Sequence, residues 1–176
     1  MDNNKTNNTP LDIATLRKAF RERMAKRIAD GSFMHNAEVH CIDGSITLIE
    51  MPNMRSEIQR LIIRTRPRED AILVFHASEL WVSELPLGDP RMAEAEKAQR
   101  EGTIDQLPWV QECVDIYEES LASPVMTAVR AKIHRSEGAA PLLGEWSELI
   151  VHPPRPGFRR YLKEDPRVIQ RPDQGS

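Results

Sequence analysis

Histidine and glutamate stand three residues apart in the stretch DAILVFHASELWVSE, as His76 and Glu79. On a helix that spacing sets both side chains on one face, where they would share a metal ion or relay a proton. On a strand it sets them on opposite faces. The apolar run Ile72-Leu73-Val74-Phe75 just before them favours a strand. The pair therefore reads as a histidine hydrogen-bonded near a strand end and a glutamate reaching water. An enzyme of unfamiliar type would use His76, Glu79 and His40, and would need at least two of them in one concave pocket.

His35, His40 and Cys41 are close in sequence, but their spacing is not that of a zinc site, which wants about four ligands with tight pairs such as C-x-x-C. His40 and Cys41 alternate across a strand, so no metal is expected. Cys41 has no basic neighbours to stabilise a thiolate and reads as a buried structural thiol. The eight glycines are never clustered, which removes the P-loop and the dinucleotide fingerprint, and no G-x-S-x-G elbow occurs. No cofactor is expected.

The formal charge of −3 argues against a general polyanion binder, but the charge is segregated. Asp12 to Asp30 carries a net +3, Glu84 to Glu119 a net −7, and Pro153 to Ser176 a net +3. Such blocks either steer a partner or pair with one another. A nucleic-acid reading would use Arg17 and Arg21 with Lys18, Arg23, Lys26 and Arg27 on one helix. Arg130, Lys132, His134 and Arg135 on a strand, and Arg155, Arg159 and Arg160 in the tail, would extend it. Acidic residues interrupt the helix and no aromatic interleaves the strand, so a solvated face is favoured over nucleic acid. Of the three tryptophans, Trp81, Trp109 and Trp146, only Trp109 sits beside a proline in acidic surroundings, as an exposed anchor would, although core or lid packing is the favoured expectation for it. The partner-binding candidates are thus Trp109, Arg17, Arg21, Arg130 and Lys132.

These side chains need elements to hold them. TPLDIATLRKAFRERMAKRIADG predicts a helix capped by Thr9, with Pro10 in its first turn, the stripe Ile13, Leu16, Phe20, Met24 and Ile28, and a stop at Gly31. AEVHCIDGSITLIEM predicts a hairpin with a type I′ turn at Asp43-Gly44. PNMRSEIQRLIIRTRP predicts a helix with Met54, Ile58, Leu61, Ile62 and Thr65 on one face, ended by Pro67. Residues 71–77 are apolar on both sides, which predicts an interior strand of a covered sheet. Residues 86–110 predict an exposed helical excursion that starts at Asp89-Pro90. ECVDIYEES and SPVMTAVRAKIHRSE predict two further strands, the second alternating cleanly, and EWSELIVH a last one after a turn in EGAAPLLGE.

The fold expected is α+β: a mostly antiparallel sheet of about five strands, with two main helices on one face and a helical excursion between strands. Residues 9–152 form the single domain, preceded by a disordered tail at 1–8 and followed by a Pro/Arg-rich tail at 153–176 in which GFRRYL docks. With 40% hydrophobic residues the chain can bury a real core, and 29% charged residues suit a soluble surface. Two cysteines, no leader-like start and no long apolar run make the cytoplasm the expected location and exclude a membrane partner. The function expected is that of a non-enzymatic interaction or regulatory protein that binds another protein or itself.

Overall fold

The computed structural model describes residues 12–33, 35–51, 58–59, 62–63, 70–83, 85–86, 88–123, 125–151 and 161–162. Thr9, Pro10, Met54, Leu61, Thr65, Pro67, the 1–8 tail and most of the 153–176 tail lie outside them, with Arg155, Arg159 and Arg160. Among the described residues no helix is long and apolar enough to cross a membrane.

The first helix, α1 (Ile13–Ala29), begins at Asp12, whose carboxylate accepts the Thr15 N–H at 3.1 Å and the Thr15 hydroxyl at 2.5 Å. The cap is therefore Asp12, three residues beyond the predicted Thr9: a carboxylate that can reach both the backbone and the side chain of Thr15 serves the unpaired N–H groups directly. Phe20, Met24 and Ile28 are buried and Ile13 and Leu16 pack beside them, as the stripe predicts. Gly31, at φ +64°, closes the last turn through its N–H to the Ile28 carbonyl.

Strands β1 (His35–Cys41) and β2 (Ile46–Met51) form the hairpin. Its turn is not type I′, since only Gly44 has positive φ. The Cys41 N–H donates to the Ser45 carbonyl and the Gly44 N–H to the Cys41 carbonyl, both at 3.0 Å, so the loop has three residues with glycine in the left-handed position. Asp43 instead turns its carboxylate onto the Ser45 N–H and hydroxyl.

Strand β3 (Ala71–Ser83) lies between β1 and β4 (Val110–Ser120), antiparallel to both. Next come β5 (Thr127–His134) and the short β6 (Leu142–Leu143) and β7 (Ser147–Leu149), which pair opposite ends of β5. The sheet runs β2-β1-β3-β4-β5-β6, with β7 beside β5, and every pairing is antiparallel. The α+β antiparallel class is as expected. Among the described residues the strands number seven because β7 is joined by β6, inside the segment expected to be a turn, whereas the expected count is about five.

The two helical regions do not share a face. Alternation along β3 sends Leu73, Phe75 and Ala77 toward α1, where they pack with Phe20, Met24, Ile28, Val114, Ile116 and Ile133. Val74 faces the other way, into a second cluster with Ala37, Val39, Ile49, Met51, Ile63, Tyr161 and Leu162. Residues 58–59 and 62–63 are helical and lie on this second side. Gln59 and Ile63 are buried there while Ile58 is 46% exposed, so the helix is turned relative to the face predicted for it. Tyr161 and Leu162, in the segment read as a docked tail, are core residues.

Between β3 and β4, α2 (Arg91–Glu101) follows Asp89-Pro90 and buries only Ala98, which makes it the exposed helix expected there. A single turn of 3₁₀ helix, Ile104–Gln106, leads into β4.

Phe20 stacks on Phe75 with ring centroids 5.1 Å apart, and both side chains are fully buried. Phe75→Ala is expected to cost about 3–5 kcal/mol in a urea titration, from lost burial plus the cavity beneath α1. A loss under about 1 kcal/mol would mean that α1 does not cover the sheet here.

Candidate functional site

The three residues named for catalysis do not converge. His40 and Glu79 are on the α1 side of the sheet and His76 is on the other. His40 lies opposite Leu73, six residues along β3 from Glu79, a distance of about 20 Å at strand rise. His40 meets Phe75 edge-on at 5.7 Å, and its Nε2 is 3.6 Å from Glu38, an ion-pair distance too long for a hydrogen bond. Burial works to raise the Glu38 pKa, but His40 and the fork of Arg23 outweigh it and hold the carboxyl below its ordinary value.

His76 is 3% exposed and sits between two tyrosines. Its Nδ1 is 2.8 Å from the Tyr161 hydroxyl, and its Nε2 is 3.0 Å from the Ser78 hydroxyl, which also reaches Gln59 at 3.4 Å. Beside it Glu119, also buried, accepts the backbone N–H groups of Tyr161 (2.6 Å) and Leu162 (2.9 Å). A hydroxyl and a histidine in contact can transfer a proton. Here Nδ1 reaches the 161–162 segment and Nε2 the Ser78 hydroxyl on the same strand, and the arrangement fastens the 161–162 segment to the sheet. Sequence reasoning missed Ser78, Tyr161 and Glu119. Ser78 was legible in principle, as the i+2 neighbour of His76 on a strand.

Glu79 has a different setting. Its neighbour Glu112 is forked by Arg135, with both bonds at 2.6 Å, and the same guanidinium lies 3.7 Å from Glu79. Burial, and then the hydrogen bond and charge of Glu112, push Glu79 up to about 7, against the pull of Arg135. The shared environment thus favours the proton on Glu79, while Arg135 keeps the Glu112 carboxyl below its ordinary value.

The partner-binding candidates are divided between surfaces. Arg17 forks Glu118 at 2.5 and 2.7 Å, and Arg130, on the far face of the sheet, forks the buried Asp115 at 2.6 and 2.7 Å. Arg130 points at its strand neighbour, whereas the alternation was read as placing it on an outer basic row. Arg21 lies over the Trp146 ring at 5.7 Å, beside a shallow groove of about 350 Å³ that Arg17 and Lys18 also line. Lys132 is exposed. Trp109 is half-buried under the Arg91 guanidinium at 5.9 Å.

One set of donors has metal-like spacing: Cys41, Asp43 and Asp70 offer ligand atoms all within 4.8 Å of one another. Asp43 is already committed to Ser45, and three donors fall short of the four a closed site needs.

The remaining feature is apolar. Strand β2 ends the sheet, and among the described residues it pairs with β1 alone. On its α1 side Ile46 is 57% exposed and Leu48 49%, and Ile42 at the turn is more exposed still. Its backbone polarity follows from the hairpin closure. The Ser45 carbonyl faces β1, so by alternation residues 47, 49 and 51 also bond inward, and residues 46, 48 and 50 turn N–H and C=O outward. The even residues of β1 obey the same alternation, since the Ile42 N–H donates away from β2 to the Asp70 carbonyl. Compared with protein-family models, curated proteins and solved structures, the chain matches none.

Two outcomes are expected of these settings. Glu79 carries a folded pKa of about 7 against an ordinary 4.5, so the native state holds its proton more tightly than the unfolded chain. Stability should therefore fall as pH rises from about 4.5 through 7. Glu79→Gln, which still donates to Glu112, should raise stability at pH 8 by about 1–2 kcal/mol, discounted for partial exposure, and change little at pH 5. Parallel pH–stability curves for the two proteins would refute the shared proton. His76→Ala should cost about 2–4 kcal/mol by opening a cavity and removing the ring that the Tyr161 hydroxyl meets at 2.8 Å. In the same urea titrations, an unchanged midpoint would show that the ring is not structural.

Proposed function

We propose that this is a non-enzymatic interaction protein that receives an extended segment of its partner along β2. The observation that supports the reading is the edge itself, open among the described residues: three residues with outward N–H and C=O groups, flanked on one side by exposed Ile46 and Leu48. Strand addition takes affinity from such main-chain groups and specificity from alternate side chains. A partner segment would place apolar residues over Ile46 and Leu48, at the corner of the sheet where Arg27 meets Glu50.

The division of the cations between two faces supports protein over nucleic acid as the partner. Phosphate contacts need one continuous basic patch, and Arg17, Arg23, Arg130 and Arg135 are committed to the protein's own carboxylates. The separation of His40, His76 and Glu79 withdraws the pocket that the enzyme reading requires.

The test uses Leu48→Pro, which deletes an outward N–H and leaves the inward ladder to β1 in place. Selection from a displayed library of extended peptides should enrich alternating apolar sequences on the wild-type protein. Affinity for them should weaken at least tenfold on the proline variant, shown to be folded by its circular dichroism and melting temperature. Equal recovery on both proteins would remove β2 as the contact element.

A further inference from the structure

We infer that β2 is built to pair with β2 of a second copy of this chain, antiparallel, about a two-fold axis at Thr47. The inference rests on the reading of β2 as an open edge and narrows it to one occupant.

Hydrogen-bond parity limits the registers. Outward groups belong to residues 46, 48 and 50, so each of these must face another outward residue across the axis. A perpendicular two-fold also keeps the α1 side of one copy beside the α1 side of the other. Three registers keep this parity within the strand, centred on Thr47, Leu48 and Ile49, and the last sets Leu48 against Glu50 of the second copy. With the axis at Leu48, Ile46 stands against Glu50 of the second copy, which brings an apolar side chain onto a carboxylate already bonded to Arg27. With the axis at Thr47, Ile46 stands against Leu48 of the second copy and Leu48 against Ile46. All four exposed apolar side chains then meet on one face, and the two threonines meet on the other.

The segment Ile46-Thr47-Leu48 is symmetric about its centre in polarity, which is what an isologous contact demands. Cross-strand apolar pairs and threonine pairs are favourable sheet neighbours. The far edge offers no equivalent, because β6 and β7 already occupy β5. The contact is short, and association entropy opposes it, so a reversible dimer with a dissociation constant on the order of micromolar is expected.

Cysteine cross-linking reads the register directly. The Thr47 pair would be a non-hydrogen-bonded pair, with Cα atoms about 4.5 Å apart, inside disulfide range. The native Cys41 and Cys113 are 2% and 1% exposed and do not compete. Under mild oxidation Thr47→Cys should convert mostly to covalent dimer, while Leu48→Cys and the distant, exposed Ser136→Cys give at least fivefold less. Adding Leu48→Pro should abolish the Thr47→Cys product. For the unmodified chain, light scattering should show mass rising toward the dimer with concentration, and exchange of the 46 and 48 amides should slow in parallel while that of Glu50, opposite the turn of the second copy, does not.

Preferred cross-linking at Leu48 would overturn the Thr47 register, and equal cross-linking at Ser136 would overturn specific pairing. A chain that stays monomeric to about 500 μM, far above the expected range, would overturn self-association. The peptide selection, run on dilute protein, would then decide separately whether the edge receives another partner.

Discussion

Everything in this fold answers to one constraint: residues 71–77 form a strand with no polar face. Leu73, Phe75 and Ala77 need a cover on one side and Val74 on the other, and β1 and β4 must satisfy the backbone on both flanks. The helix α1 supplies the first cover through Phe20, Met24 and Ile28. Ile63, Tyr161 and Leu162 supply the second. Apart from Ile63, eight residues before β3, both covers come from sequence more than forty residues away, so the strand is enclosed only by bringing distant parts of the chain together.

Burying β4 brings its acidic residues with it. Glu112, Asp115, Glu118 and Glu119 are all buried, and each has its own answer: Arg135, Arg130, Arg17, and the backbone N–H groups of Tyr161 and Leu162. Part of the charge segregation of the sequence is thereby resolved inside the molecule, with Arg17 of α1, Arg130 of β5 and Arg135 just after it set against acidic β4. Pairs of this kind contribute little net stability over apolar contacts, but removing one partner leaves an uncompensated buried charge. They act on register instead. Asp115 stands directly opposite Arg130, and a slip of one residue would turn the two to opposite faces.

The parts of this structure visible in the sequence are those where one periodicity states its meaning alone. The α1 stripe and the two-sided β3 are such cases, and they were enough to place the class. The Asp12 cap competes with another good capping residue three positions earlier, and only side-chain reach separates them. At Asp43-Gly44 one glycine serves two turn types, and the choice depends on how the strands close. The sequence around the helical residues 58–59 and 62–63 is rich in apolar side chains without one clean stripe, so pattern cannot say which side faces the sheet, and Ile58 faces water. The His76 contacts were hidden for another reason: Tyr161 is 85 residues away. Such a pair has no local signature, whereas the three-residue spacing of His76 and Glu79, suggestive on a helix, is turned to opposite faces by the strand.

The edges complete the argument. A sheet has two, and an open edge with apolar side chains invites uncontrolled pairing unless something blunts it. Beyond β5 the chain does so with β6 and β7, two and three residues long, too short to template much. Beyond β1 it lays down β2, six residues with neither proline nor lysine and with isoleucine and leucine turned outward on the α1 side. The same polypeptide thus treats its two edges by opposite rules. Ile49 and Met51 of β2 are spent on the second core cluster, so the inward side of the strand explains its own composition. Ile46 and Leu48 contribute to neither cluster. An apolar pair at an edge that elsewhere would be charged or cut short has a physical rationale once another strand lies against it, and a polarity pattern symmetric about Thr47 is one that a copy of the same strand satisfies.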